Sequence, residues 1–384
     1  GTTGTPKPIV HGHGGVIIEG MKQSLHHDLT TSDRFSWLTS SGWIMWNAQW
    51  VALGQGATVV AFDGAPNYPD MNRIWEFVSD EELSFFGAGA AFYEGCIKAT
   101  VHPAKLFDLN ALRSMSSTGS PLSGEAYDWI YSKVKSDVWL APTSGGTDFC
   151  GAFVLGHPKM PVRKGEMQCR ALGNAVRSFD EEGNDLIGKV GELVCTEPLP
   201  SMPIYFWGDD ENVRLMESYF ETYPGVWRHG DWIEITPNGG AVIYGRSDAT
   251  INRKGLRLGS AEIYQAVESL EEIQDSLVVD FEFLGKASFM PLFIVPTSGV
   301  ELDEALENKI NEVIKVTVSP RFLPNEIIEV LEIPRTLSGK KLEIPVKKLL
   351  LGGDPKTVVN RDSMVNPHSF DDFISYAQAR KIKD

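Results

Sequence analysis

The chain has 384 residues, 42% of them hydrophobic and 22% charged, which is typical of a soluble globular enzyme with room for two domains. Its 35 Lys and Arg residues against 51 Asp and Glu give a net charge of −16, which disfavours partners such as nucleic acid or an anionic membrane. No apolar run approaches the roughly 20 residues of a membrane-spanning helix. The four cysteines are scattered without a Cys-x-x-Cys pair, which indicates reduced thiols in a reducing, cytoplasmic compartment.

The first seven residues, GTTGTPK, form a segment rich in glycine and threonine. Its glycines let backbone N–H groups turn toward one anion, its threonines add hydroxyl donors, and Lys7 adds a mobile positive charge. The segment therefore predicts a loop that wraps a polyphosphate, although its spacing is not that of a Walker A loop. A frayed terminus is the alternative, and the apolar pair Ile9-Val10, typical of a following strand, weakens it.

Up to Gly245, short apolar runs alternate with helical patterns. The predicted strands are residues 57–62, 83–86, 138–140, 189–195 and 240–244, and the predicted helices are residues 72–78 and 124–134. This alternation predicts an α/β fold, and the last two strands, which have no helix between them, predict a β-rich subdomain. The stretch Trp43-Ile44-Met45-Trp46 has a helix-like spacing that is more typical of core packing than of a cofactor site.

The pattern changes after Gly245, which predicts a separate small α+β domain. Its predicted helices are residues 261–270 and 302–316, and its predicted strands are residues 276–280, 290–295 and 326–331. The stretch 352–366 carries glycine, proline and several charges, as an extension does, and a last helix is predicted at 370–380. The expected parts of the chain are therefore residues 1–247, 248–350 and 351–384.

Two loops carry residue types suited to phosphate and sugar. TSGGTD at 143–148 follows a predicted strand, and ligands of open α/β sheets bind where strands end. Asp148 offers a carboxylate, which Mg²⁺ binds together with phosphate oxygens. WRHGD at 227–231 places Asp231 just after a glycine, where a carboxylate can accept both hydroxyls of a ribose. A simple turn is the alternative for each loop.

Further stretches combine glycine with positive charge. GRSD at 245–248 and KGLR at 254–257 suit a hinge that also touches a ligand, with an ordinary linker as the alternative. PRTLSGK at 334–340 combines a rigid entry with a flexible glycine and could present Lys340 to another domain, with a solvated basic turn as the alternative. HGH at 11–13 has no third ligand nearby, so a metal site is not favoured there.

Taken together, these motifs and their spacing resemble the adenylate-forming acyl-CoA synthetase superfamily over nearly the whole chain. STGSPL at 117–122, TSGGTD at 143–148 and GLRLGSAEI at 255–263 are most similar to members that activate acetoacetate. GWIMW at 42–46 and SGKK at 338–341 are similar to the same members. The resemblance implies a large α/β adenylation domain, present here in part, with a β-rich subdomain and a small mobile C-terminal α+β domain.

The resemblance also implies roles for individual residues. Contacts to the nucleotide are implied for Thr2, Thr3, Gly4, Lys7, Gly119, Ser120, Pro121, Thr143, Ser144, Gly145, Gly146, Asp231 and Arg246. Within this set, Gly119 to Pro121 match the adenine-facing segment and Asp231 matches the ribose ligand. Thr147 matches the phosphate-contacting threonine. Asp148 matches the Mg²⁺-associated residue, where most members carry a glutamate that is one methylene longer.

Other implied roles concern movement, CoA and the acid. Asp248 matches the hinge, Gly255 and Arg257 match a segment near the phosphates or CoA, and Lys340 matches the adenylation lysine. Trp43, Ile44 and Met45 match walls of the acid pocket. Gly145 stands where members that activate acetate carry an indole, so we expect it to leave room for a longer acid.

The implied activity is ligation of acetoacetate to CoA with ATP and Mg²⁺, through an acyl-adenylate. A different short-chain acyl-CoA synthetase or adenylating enzyme is one alternative. The superfamily's members carry a few hundred residues upstream of the phosphate loop, which supply much of the large domain. A truncated fragment without turnover, missing the upstream part of its own large domain, is therefore the other alternative.

Overall fold

The structure is a computed structural model that describes residues 7–247, 251–253, 256–258, 260–280, 289–337 and 339–381. These residues form two compact units. The larger unit comprises residues 7–229 and 233–243, and the smaller unit comprises Gly230–Trp232 and the described residues from Tyr244 onward. The division of the chain at residues 247 and 350 stays a prediction.

Seven α-helices and fourteen strands are described up to residue 246. The helices are α1 (His13–His26), α2 (Asn47–Gly54), α3 (Arg73–Asp80), α4 (Ala90–Lys98), α5 (Pro103–Leu106), α6 (Gly124–Trp129) and α7 (Val213–Tyr219). The strands are β1 (Ile9–Val10), β2 (Arg34–Trp37), β3 (Thr58–Val59), β4 (Phe85–Gly89), β5 (Ser114–Thr118), β6 (Trp139–Leu140), β7 (Ser144–Gly146), β8 (Gly151–Leu155), β9 (Cys169–Arg170), β10 (Val176–Phe179), β11 (Val190–Cys195), β12 (Tyr205–Phe206), β13 (Trp227–Ile235) and β14 (Ala241–Arg246).

A five-stranded parallel sheet with strand order β3-β2-β4-β5-β6 organises the larger unit. Its central strand β4 is apolar along its length and buried, as expected for a parallel strand covered on both faces. Gly87 in β4 lies under the indole of Trp37, where any side chain would overlap the ring. This close packing holds β4 against its neighbour β2.

Helix α3 packs its apolar residues into the main core of the larger unit. Ile74, Trp75 and Val78 are buried, and the Trp75 indole lies edge-on to Phe86 of β4. The apolar spacing i, i+1, i+3, i+4 puts these side chains on one helix face, as the amphipathic pattern predicts.

Helix α1 has the opposite arrangement, with polar side chains buried and apolar side chains exposed. Its buried face carries the polar side chains of Glu19, Lys22, Ser24 and His26. Its outer face carries Ile17, Ile18, Met21 and Leu25, each more than half exposed. The helix is therefore amphipathic with its polar side inward.

Smaller sheets make up the β-rich part of the chain, as predicted. Strands β7, β8 and β9 form an antiparallel three-stranded sheet. A four-stranded sheet has the order β10-β11-β13-β14, and β1 pairs with β12. The predicted strands at 189–195 and 240–244 correspond to β11 and β14.

The smaller unit has an α+β composition. Its further strands are β15 (Ile251–Arg253), β16 (Leu256–Leu258), β17 (Ile273–Val278), β18 (Pro291–Pro296) and β19 (Glu326–Glu329), and its helices are α8 (Ser260–Glu268), α9 (Glu304–Thr317), α10 (Glu343–Leu350), α11 (Pro355–Val358) and α12 (Phe370–Lys381). β18 lies between β17, its antiparallel partner, and β19, its parallel partner. Phe293 of β18 packs against Phe373 of α12, which ties the last helix to this sheet.

Most predicted elements are present with shifted ends. The predicted strand 57–62 was too long, because β3 pairs with β2 at only two positions, Thr58 and Val59. The predicted strand 276–280 begins earlier, at Ile273. In the part of the chain that the structure describes, no helix has the length and apolar character needed to cross a membrane.

Candidate functional site

Two of the predicted binding segments meet at the carboxyl end of the parallel sheet. Strand β5 ends at Thr118 and leads into Gly119, Ser120 and Pro121. The backbone N–H of Thr143, which follows β6, donates to the carbonyl oxygen of Ser117 at 2.8 Å. Gly119 has a φ of 97°, in the left-handed region that glycine adopts without strain. Segments 119–121 and 143–148 therefore follow neighbouring strands at the edge of the sheet where ligands of such folds bind.

Residues 144–146 of the predicted loop form strand β7 instead, and the glycines of this strand are required by close packing. A side chain at Gly145 would overlap the carbonyl oxygen of Gly151 in β8, which pairs with β7. A Cβ at Gly146 would lie 2.5 Å from the His229 ring. Strand packing thus explains Gly145 without reference to the acid, since the space that a side chain would need there is filled by backbone. Its expected part in the acid pocket stays a prediction.

Lys7, Asp148 and Tyr219 form a compact cluster beside this loop. Lys7 Nζ lies 3.7 Å from Asp148 Oδ1 and 4.8 Å from the centroid of the Tyr219 ring. The Tyr219 hydroxyl donates a short hydrogen bond to the same Oδ1. Tyr219 stacks on the Trp227 indole with centroids 3.7 Å apart, so its hydroxyl is held in place. The structure therefore joins the predicted Lys7 and Asp148 and adds Tyr219.

Sequence reasoning did not select Tyr219. It lies 71 residues from Asp148, at the end of α7, where an aromatic side chain is usually part of a core. The only local signal is that a tyrosine of this helix carries a polar group that needs a hydrogen-bond partner when it is buried.

His11 lies near Asp148 of this cluster. Its Nδ1 hydrogen bonds with the carbonyl oxygen of Ser201 at 3.0 Å. Burial lowers the pKa of His11, partly opposed by that hydrogen bond and by the negative charge of Asp148. Among the described residues, no group of three or more His, Cys, Asp or Glu side chains is arranged to hold a metal ion.

A buried ion pair of α1 contacts β8. Lys22 Nζ lies 2.6 Å from Glu19 Oε2, and both side chains are at least nine-tenths buried. Lys22 also donates to Asn174 Oδ1 at 3.0 Å, and the backbone N–H of Ala152 donates to Glu19 Oε1 at 3.1 Å. A side chain at Gly151 would overlap the Glu19 carboxylate. This network holds the strand that follows Asp148.

The predicted pocket walls come just before helix α2, whose first residue contacts Cys150. Trp43 is buried, and residues Ile44–Trp46 form a single 3₁₀ turn before α2. Asn47, the first residue of α2, donates from its side-chain amide to Cys150 Sγ at 3.6 Å. This contact links the 43–46 segment to the turn after Asp148. The assignment of Trp43, Ile44 and Met45 to an acid pocket stays a prediction.

In the smaller unit, Asp231 and Arg246 are neighbours. Arg246 Nη1 lies 3.6 Å from Asp231 Oδ1. Gly230 has a φ of 86°, and a side chain there would crowd the Arg246 guanidinium at 3.0 Å. The backbone N–H of Ser247 donates to the Gly230 carbonyl at 2.8 Å. Asp231 thus lies in β13 and Arg246 in the neighbouring strand β14, so the predicted loop at 227–231 was wrong: the stretch is part of a strand. Asp231 is largely buried.

Lys340 lies at a tight turn of the smaller unit. The backbone N–H of Thr336 donates to the Lys340 carbonyl at 2.9 Å, and the Lys340 N–H donates to Thr336 Oγ1 at 3.1 Å. Gly339 has a φ of 81°, which the turn requires and which glycine allows. Thr336 is fully buried, so the turn is anchored on the side away from solvent.

Several predicted residues lie outside this description. Thr2, Thr3, Gly4, Asp248 and Gly255 are not among the described residues. Arg257 lies in β16, for which the backbone alone is described. The roles implied for these six residues stay predictions.

The model of the family of AMP-binding enzymes matches residues 1–206 of the chain. The chain belongs to this family. Acetoacetyl-coenzyme A synthetase of Rhizobium meliloti (strain 1021) is 43% identical to it over 376 residues, which are 97% of this chain and 57% of that protein. Acetoacetyl-CoA synthetase of Mus musculus is 40% identical over 373 residues, 97% of this chain and 55% of that protein.

Solved structures agree with these relatives. The acetoacetyl-CoA synthetase from Streptomyces lividans has a TM-score of 0.91 and 45% identity, and the match covers 99% of this chain and 58% of that one. The anthranilate CoA ligase AuaEII, 20% identical with a TM-score of 0.73, shares the fold. The predicted α/β plus α+β fold class is confirmed. The chain spans between half and three-fifths of the length of the curated relatives it matches.

Proposed function

We propose that this chain contributes to an AMP-forming acetoacetate–CoA ligase. The reaction would join acetoacetate to ATP, release pyrophosphate, and transfer the acyl group from AMP to the thiol of CoA. Its main support is the position of segments 119–121 and 143–148 after neighbouring strands, with Lys7 against Asp148, in a chain similar over 97% of its length to acetoacetyl-CoA synthetases.

The chemistry explains why cations are needed. A free carboxylate is a poor acyl donor, because its leaving group would be oxide, and attack on the α-phosphate of ATP replaces oxide with AMP. Two anions must approach each other in this step, so neutralising their charge dominates catalysis. We assign that task to Lys7 and Lys340. Loss of one preorganised donor of this kind typically costs about 3–4 kcal/mol in the transition state.

Asp148 fits a role in holding Mg²⁺ with the phosphates. Magnesium is usually held by one or two carboxylates together with phosphate oxygens and waters. Asp148 supplies one carboxylate in the 3₁₀ turn that follows β7, and its side chain is a quarter exposed. Lys7 and Tyr219 both contact its Oδ1 and hold the carboxylate in place. When bound, the ion would neutralise phosphate charge.

The remaining assignments extend the same proposal. Residues 1–247 would be the C-terminal portion of the large adenylation domain, residues 248–350 a small mobile domain and residues 351–384 an extension. Asp248 would be the hinge that brings the Gly255 segment and Arg257 toward CoA after Lys340 has acted. Trp43, Ile44, Met45 and Gly145 would line the acid pocket. The free state of all four cysteines supports a reducing, cytoplasmic location.

A half-reaction experiment tests the proposal. Acetoacetate-dependent exchange of pyrophosphate into ATP would be measured with the chain and with its Lys340→Ala variant, alongside thioester formation from preformed acetoacetyl-adenylate. We expect Lys340→Ala to abolish exchange and to spare thioester formation. Lys315→Ala is the control, since Lys315 is an exposed residue of α9 that pairs with Glu312 of the same helix at 3.0 Å.

A panel of acids separates the alternatives. Acetoacetate should support faster exchange than acetate, propionate or benzoate. Faster exchange with another acid would identify a different acyl-CoA synthetase, and product formation independent of CoA would identify a different adenylating enzyme. No exchange with any acid would contradict ligase activity in this chain.

A further inference from the structure

The turn that carries Lys340 is held by two positively charged side chains, one on each side. Arg335 and Lys341 are paired across the base of the turn by a β-bridge. Arg335 also donates from Nη1 to the carbonyl oxygen of Gly339, the residue before Lys340, at 2.7 Å. The two flanking cations are therefore part of the framework of the turn.

Both flanking side chains end on one carboxylate, that of Asp275 in β17. Arg335 Nη2 donates to both Asp275 oxygens, at 2.9 and 2.7 Å, and its Nε donates at 3.2 Å. Lys341 Nζ lies 3.0 Å from Asp275 Oδ1. A bidentate guanidinium with a second ammonium on the same carboxylate fixes direction as well as distance.

Lys341 is held further by its surroundings. Its Nζ lies 2.5 Å from Glu268 Oε1 and donates to the Ser276 carbonyl oxygen at 2.5 Å. It also lies 3.7 Å from the centroid of the Tyr264 ring. The Lys341 side chain is only 13% exposed, so its ion pairs are shielded from solvent and salt. The two carboxylates Asp275 and Glu268 balance the charges of Arg335 and Lys341.

A β-bulge aims the Asp275 side chain. The register of β17 against β18 shifts between Ile273 and Asp275, so that Gln274 is an extra residue in β17. Bulges of this kind redirect a side chain and are common beside active sites. Burial raises the pKa of Asp275, but the charges of Lys341 and Arg335 outweigh it and the net shift is downward. The carboxylate is therefore ionised at neutral pH.

We propose that Asp275 is a positioning residue for Lys340 in the adenylation half-reaction. It acts through Arg335 and Lys341, which fix both sides of the turn, so that the Lys340 ammonium starts from a defined backbone. This inference rests on the proposed function, in which Lys340 serves the first half-reaction only. Loss of the Asp275 charge should therefore affect adenylation more than thioester formation.

The test compares Asp275→Asn with the unchanged chain in both half-reactions. Asparagine keeps the size of the side chain but cannot balance two cations. We expect pyrophosphate exchange to fall about 10- to 100-fold, as for a modest misplacement of a catalytic group, with thioester formation from preformed adenylate unchanged. Asp275→Glu should recover part of the loss. Glu272→Gln is the matched control, because it removes an exposed ion pair with Lys309 of the same unit.

Amide hydrogen exchange of the segment 335–341, followed by mass spectrometry, tests the clamp without any turnover. Asp275→Asn should speed exchange there, while Glu272→Gln should not. An unchanged rate of amide exchange at 335–341 in Asp275→Asn would overturn the inference. Equal losses of pyrophosphate exchange and of thioester formation would also overturn it. If the unchanged chain shows no acetoacetate-dependent exchange of pyrophosphate, the proposed function fails, and the amide data still decide whether Asp275 holds the turn.

Discussion

Helices α1 and α3 belong to the same unit but bury opposite kinds of side chain. Helix α3 turns Ile74, Trp75 and Val78 inward. Helix α1 buries Glu19 and Lys22. The inward face of α3 is stabilised by removing apolar surface from water, whereas that of α1 needs a partner for every charge.

The difference shows that an amphipathic pattern does not determine which face is buried. The polar face of α1 is buried because specific partners are present: Asn174 for Lys22, the Ala152 N–H for Glu19, and Gly156 for His26. A buried ion pair whose members are both satisfied is tolerated, and one that loses a member is costly. Three changes test this contrast, ordered from the largest expected loss of folding stability to the smallest.

Breaking the buried pair of α1 should have the largest effect. Glu19→Leu leaves the Lys22 ammonium without its carboxylate and should lower the free energy of unfolding by about 3–5 kcal/mol. The double variant Glu19→Leu/Lys22→Met removes both charges, and its free energy of unfolding should fall clearly less than that of Glu19→Leu. Urea unfolding followed by circular dichroism measures both. A double variant as unstable as the single one would show that the ion pair is not what holds this face.

The same substitution, isoleucine to alanine, should lower the free energy of unfolding by different amounts on the two helices. Ile74→Ala in α3 removes a fully buried side chain and should cost about 2–5 kcal/mol. Ile18→Ala in α1 removes one that is 53% exposed and should cost about 0.5 kcal/mol or less. The matched pair is measured by the same urea titration. Equal losses would mean that the outer face of α1 is packed against something in solution.

Acid should destabilise the chain through His27, the residue that follows α1. Burial, with the nearby charges of His26 and Arg113, lowers the pKa of His27 from 6.5 to about 3. The unfolded chain therefore binds this proton first, and stability is lost as the pH falls below 6.5. Between pH 7.5 and 5.5 the loss from His27 should be about 1.4 kcal/mol.

The control for this third prediction is His27→Phe, since the ring at this position packs edge-on against Phe85 with centroids 5.1 Å apart. The variant should lose about 1.4 kcal/mol less than the unchanged chain over the same pH interval. An identical pH dependence of the two proteins would contradict the assignment to His27.

Sequence patterns predicted the fold where local and tertiary preferences agree. The apolar spacing of residues 72–78 predicted α3, and the apolar runs at 83–86 and 189–195 predicted β4 and β11. Helix α1 was not predicted, because its glycines lower helix propensity and its polar residues point inward. Two of these glycines are needed for close approach, since a side chain at Gly15 would overlap the Pro200 carbonyl and one at Gly20 the Trp50 ring.

For the site, motifs selected candidate residues but not the side chains that contact them. Lys7 and Asp148 were each selected from short local patterns, and the structure joins them. Tyr219 and Asp275 were not selected, because neither lies in a motif. Tyr219 acts through a stack on Trp227, and Asp275 acts through a bulge and two cations that are distant in sequence. Such roles arise only when strands and helices are assembled.

The contacts of Gly145 and Gly151 have a consequence for how this loop can evolve. The first glycine lies against the backbone of the second, and the second lies against the carboxylate of Glu19. A methyl group at position 151 fits only if Glu19 is replaced by a residue with a shorter side chain. A methyl group at position 145 fits only if β8 moves. Substitutions at these three positions are therefore epistatic, and sequence divergence beside Asp148 has to proceed by coordinated change.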